Sequence, residues 1–359
     1  MLLPCARAES PAVESVLDGI HLEDMQARAE GMDVRRFIGD VISGERRLDP
    51  EALGGTLLGL WRRMLRGVGD LPLRAGMPVV ISLVLRIMLG SNSMGAGAAG
   101  LLCRLAVIRV LLEACASARQ AAAQMLTLAA ETMGDVVPAL ASALTLTGCP
   151  ASAEILSPMA ALCASALGSL LAGPGLSLCA AAAVIAAAGN FSSQFRLDGL
   201  FELVKGFVAW LIALLMTGFT GLLAVEGLIG AARDGAAAQS ARYAVENMLP
   251  IIGGEVSGAM GALANSASLI RAAVGTTGIL IVLGGCGKPA LRLAASALSL
   301  KLTAAIIEPA ADRRAAVAAG QLADTAEMLL ALCAAGVALA LLTLGAALAS
   351  TTLIGRMGV

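Results

Sequence analysis

Few residues in this chain could do chemistry, and they stand far apart. The one histidine, His21, lies in a polar segment beside Glu23 and Asp24, the setting of a solvated surface side chain rather than a general base. The 8 cysteines form no CxxC pair, and Cys103, Cys115, Cys163, Cys179, Cys286 and Cys333 fall in Ala/Leu-rich runs, where a thiol acts as a small buried hydrophobe. Gly284-Gly285-Cys286-Gly287-Lys288 sets glycines before a lysine. It lacks the phosphate-loop spacing and the following Ser or Thr, and reads as a flexible break between two membrane helices. No catalytic, cofactor-binding or metal-ligating set emerges, so a non-enzyme without cofactor is expected.

Charges inside apolar runs are stronger candidates. Placing one in lipid costs about 2.5–3.5 kcal/mol on insertion scales, so such residues tend to carry function. Glu226, Glu255, Arg271, Lys301 and Glu308 qualify as pore or buried-charge positions. Lys301 and Glu308 are two turns apart on one helix face. Snorkelling from a helix end suits Glu226 and Glu308. It suits Glu255 less, since that residue is flanked by Gly253-Gly254 and Val256.

The elements that would hold these charges can be read from composition. The 359 residues are 58% apolar and only 14% charged, against about 25% charged in a soluble domain, and mean hydropathy is +0.84. Residues 1–75 hold 10 Lys/Arg and 12 Asp/Glu, leaving 15 and 14 for the other 284. A net charge of −1 argues against a nucleic-acid surface. Beyond residue 75 the chain has segments of bilayer length, roughly 17–25 residues. The expected fold is all-α: a polytopic helical membrane protein behind a short amphipathic helical N-terminal region.

Three regions are expected. Residues 1–8 end in Ala6-Arg7-Ala8 ahead of Glu9, like the tail of a secretory signal peptide. Residues 9–75 carry two amphipathic helices, one with Val34, Phe37, Ile38, Val41 and Ile42 on one stripe. Asp49 caps the second, with Pro50 in its first turn. Residues 76–359 form the multi-span domain. Clean spans are expected at 203–230, 289–307 and 326–350. Residues 76–94 form a first hydrophobic stretch, and the others (97–118, 121–148, 155–172, 175–189 and 248–285) are interrupted or broken, with breaks expected at Pro138, Pro174, Pro250, Gly253, Gly254 and Pro289. Val137-Pro138 and Leu249-Pro250 open apolar regions 112 residues apart, as internal repeats of a secondary transporter would.

Residues from about 196 to the C-terminus resemble the stage III sporulation protein AE family. The resemblance rests on Gly218-Phe-Thr-Gly221 with Val225-Glu-Gly227, and on Asn247-Met-Leu-Pro-Ile-Ile-Gly253. It continues in Ser268-Leu-Ile-Arg-Ala-Ala-Val-Gly275, and in Pro289-Ala-Leu-Arg-Leu running into Lys301-Leu-Thr-Ala-Ala-Ile-Ile-Glu-Pro309. Where this chain has Arg271-Ala272 the family usually has Lys-Asn. The resemblance implies a subunit of a channel or secretion-like complex that links mother cell and forespore. It implies residence in the mother-cell membrane around the forespore. The implied partners are the lipid bilayer, other membrane proteins of the same sporulation operon and a forespore membrane protein. It carries over no catalytic residues.

Overall fold

A chain this rich in Ala, Leu and Gly can satisfy its backbone polar groups away from water only by local, helical hydrogen bonds. The computed structural model describes residues 98–146, 150–189, 197–248, 253–307 and 313–357, with Ile38, Gly55, Gly59 and Arg62. The described residues are almost wholly helical and contain no strand. In chain order they form α1 (Ala98–Leu146), α2 (Pro150–Ser165), a π-helical segment (Ala166–Gly175), α3 (Leu176–Gly189), α4 (Asp198–Met248), α5 (Gly253–Ile307) and α6 (Arg313–Met357). Asp198 stands in the first turn of α4, where a carboxylate complements the helix dipole. The Leu197 carbonyl accepts the amides of Leu200 and Phe201 at 3.1 and 3.0 Å.

These helices are fewer and longer than expected. The stretches 97–118 and 121–148 merge into α1, which runs unbroken through Pro138. The stretches 248–285 and 289–307 merge into α5, which runs through Gly284–Lys288 and Pro289. The chain does not break at Gly173-Pro174-Gly175. The helix widens there into a π segment, which accommodates the missing proline N–H without ending the ladder. Proline within a membrane helix is tolerated where neighbouring helices hold it. Gly253 and Gly254 open α5, and Pro250 lies in the connection between Met248 and Gly253, outside the described residues. With α1 continuous, the paired breaks expected of an internal repeat are not present at Pro138.

Among the described residues, four segments are long and apolar enough to cross a membrane: Leu156–Gly189, Asp198–Val225, Ala272–Ala305 and Val317–Ala346. Named contacts set their directions. Cys115 of α1 meets Leu322 of α6, and Cys333 of α6 meets Ala122 of α1, so α1 and α6 run parallel. Cys286 of α5 meets Met125, while a Cβ on Gly278 would meet Val136, so α5 runs antiparallel to α1. Gly175 lies against Leu332, and Gly336 against Leu167 and Leu171, so the α2–α3 rod opposes α6. Asp198 of α4 meets Gln321 of α6 and Lys205 meets Asp324, so α4 runs parallel to α6, and the five described rods alternate up and down, as short connections require.

Helix α6 is the axis. Within its apolar segment 56% is buried, against 11% for α4, and it packs on every other rod. Small residues make this possible. Ala118, Ala122 and Ala129 of α1, Ala182 and Ala186 of α3, and Ala319, Ala326 and Ala340 of α6 are buried, so backbones approach closely. Buried hydroxyls are satisfied within their own helices: Thr277, Thr303 and Thr343 each donate to the carbonyl four residues back at 2.7 Å. Ile38, from the expected N-terminal apolar stripe, is fully buried in the same core. The expected signal remnant lies outside the described residues.

Candidate functional site: a charged seam across three helices

The N-terminal ends of α4 and α6 meet the C-terminal end of α5, because α4 and α6 run parallel and α5 returns between them. Each brings charge. Lys205, about one turn past Phe201 on α4, reaches Asp324 Oδ2 of α6 at 2.7 Å. Lys301, near the end of α5, pairs with Glu327 Oε1 of α6. Asp198 at the head of α4 accepts a 2.9 Å bond from Gln321 Nε2. Asp324 and Glu327 are three residues apart, so α6 presents them to two different helices from adjoining positions.

The seam is half-buried. Lys205 and Asp324 side chains are 40% and 34% exposed, and Lys301 and Glu327 48% and 49%. Both pairs lie within or at the edge of apolar segments, where pairing offsets the cost of a charge near lipid. The arrangement can do two things. It holds α4, α5 and α6 in fixed register, and it keeps four ionised groups available at one end of the bundle. It offers no nucleophile–base pair, and no group of three or more His, Cys, Asp or Glu that could hold a metal occurs among the described residues.

Of the residues singled out from sequence, Lys301 belongs to this seam. It pairs with Glu327 of α6, and Glu308 lies outside the described residues. Glu226 falls on the backbone of α4, and Glu255 and Arg271 on that of α5, with side chains outside those described. Sequence reasoning missed Lys205, Asp324 and Glu327. Their signal is an acid pair three apart at the head of the last apolar run, with a lysine early in α4. Lys205 and Glu327 stand at the very start of the expected spans 203–230 and 326–350, and Asp324 just ahead of the latter, where charge reads as the polar end of a span.

The cysteines whose side chains are described fit their expected role. Cys115, Cys163, Cys179, Cys286 and Cys333 are free and buried. Three donate across helix contacts: Cys115 Sγ to Leu322 O at 3.6 Å, Cys286 Sγ to Met125 O at 3.8 Å and Cys333 Sγ to Ala122 O at 3.6 Å.

A family model described as Stage III sporulation protein AE matches residues 32–351. The protein of Bacillus subtilis (strain 168) named Stage III sporulation protein AE is 24% identical over 174 residues. That alignment takes in 48% of this chain and 44% of the relative, so less than half of the relative's length is spanned. No solved structure matches.

Proposed function

The chain belongs to the stage III sporulation protein AE family, and on that premise we propose that it is the membrane subunit of a channel or secretion-like complex joining mother cell and forespore. Its role is in sporulation. In this reading it sits in the mother-cell membrane around the forespore, and acts with other membrane proteins of its operon and with a forespore membrane protein. The supporting observation is the seam. Lys205–Asp324 and Lys301–Glu327 lock three membrane-length helices together through charge, a device suited to a subunit that must hold register inside a larger assembly.

The reading assigns the chain no catalysis; its work is to form part of a passage. A clean deletion is expected to block late forespore development while engulfment still completes, with rescue by the full chain. Normal spore yield from the deletion would overturn it.

A further inference from the structure

Helix α1 packs beside the membrane-length apolar segments of α5 and α6 although its own outer face is not apolar. Its residues 115–136 lie beside the apolar segments of α5 and α6. Cys115 contacts Leu322, Cys333 contacts Ala122, Cys286 contacts Met125, and Val136 faces Gly278. Yet α1 is not one of the four segments apolar enough to cross a membrane.

The reason lies in how its residues are distributed. One face, with Leu111, Ala118, Ala122, Leu126, Met133 and Leu140, is buried in the bundle. The opposite face carries Arg109, Glu113, Gln120, Gln124, Thr127 and Glu131, all exposed. Their steps of three, four or seven residues keep them in one stripe along the helix. Next to this stripe α5 adds Lys288 and Arg292, also exposed and four apart. Lys288 lies near the middle of the Ala272–Ala305 segment. Gln124, Thr127, Lys288 and Arg292 line an open cleft of about 380 Å³ together with Leu128, Gly285 and Pro289.

The face presented by α4 is the opposite in character. Leu203, Phe207, Trp210, Leu214, Leu222 and Val225 are exposed there, as acyl chains require. Lipid cannot solvate a stripe of charges and amides at the same depth.

We infer that the outer face of α1, with Lys288 and Arg292 of α5, is the wall of a water-filled path through the membrane. The inference rests on the membrane-subunit reading above and names the surface that would do its work. The wall has mixed charge, with cations concentrated in the cleft near mid-membrane.

Cysteine accessibility tests it. The full chain, carrying Glu113→Cys, Gln120→Cys, Gln124→Cys or Thr127→Cys, replaces the native copy in sporulating cells. Leu214→Cys and Leu222→Cys on α4 serve as lipid-facing references. Membranes are treated with a charged, membrane-impermeant methanethiosulfonate, and labelling of the unsubstituted chain is subtracted. Stripe cysteines are expected to react at least tenfold faster than the α4 references, at Gln120 and Gln124 as well as at Glu113. Gln120 and Gln124 are one turn apart, so loss of one variant leaves the test intact.

Labelling confined to Glu113, or no faster than on α4, would overturn the water path: the stripe would then be covered by dry protein. The deletion phenotype is read separately. A sporulation block combined with a shielded stripe keeps the membrane-subunit reading and removes only this inference.

Discussion

The ammonium of Lys205 stands 2.7 Å from Asp324 Oδ2, across 119 residues of chain. This contact joins the helix with the most open surface, α4, to the helix at the centre of the bundle, α6. Removing Asp324 takes from Lys205 its hydrogen-bonded carboxylate and leaves only the longer-range attraction of Glu202 and Glu327. Asp324→Asn and Lys205→Met are each expected to lower stability by about 1–2 kcal/mol, since the pair is only partly shielded from solvent. The exchange Lys205→Asp with Asp324→Lys is expected to recover most of that loss. Thermal unfolding in detergent reads both outcomes, and a double variant no better than the singles would show that the pair does not set the register.

The second pair, Lys301 with Glu327, is more exposed and should matter less. A double-mutant cycle using Lys301→Gln and Glu327→Gln is expected to give a coupling of about 0.5–1 kcal/mol. Coupling indistinguishable from zero would assign these residues to solvent rather than to each other.

Close helix approach predicts an asymmetry between two glycines. A Cβ at Gly278 would stand 2.5 Å from Val136 Cγ1, a short branched side chain with little room to move. A Cβ at Gly336 would stand 2.5 Å from Leu126 Cδ2, the far end of a flexible one. Gly278→Ala is therefore expected to cost about 1–3 kcal/mol, and Gly336→Ala less. Val136→Ala should suppress the Gly278→Ala defect, as measured by the melting temperature of the double variant. If suppression failed, the α1–α5 contact would not be the tight one.

The five buried thiols are expected to resist N-ethylmaleimide in native membranes and to react on unfolding. Peptide mass spectrometry before and after denaturation distinguishes the two states. Rapid native labelling of Cys286 or Cys333 would contradict their placement at helix contacts.

Much of the fold was legible because a membrane leaves little choice. Apolar runs of bilayer length can only be helices, and those between 203 and 350 all proved to belong to long helices. Breaks were the least legible feature. Pro138, Pro174 and Pro289 punctuate a soluble sequence strongly, yet here the helix passes through each. Neighbouring rods hold the backbone where one hydrogen bond is lost, and that support comes from residues distant in sequence. The charged site was half legible. Lys301 stands out because it is isolated in an apolar run, but the run alone does not select its partner. Glu308 lies seven residues away in sequence, whereas Glu327 arrives from the next helix after the chain reverses.

By itself the sequence determined the chemical class of the molecule. The small share of charge, the scarcity of catalytic groups and the run lengths dictate a helical membrane protein, and the motifs from Gly218 to Pro309 its family. Only the tertiary structure decided which charges meet, which helix lies at the centre, and that α1 with its polar stripe packs beside the apolar segments of α5 and α6. These depend on the register between rods. Register is set by small residues and close contacts across more than a hundred positions, which no local pattern encodes.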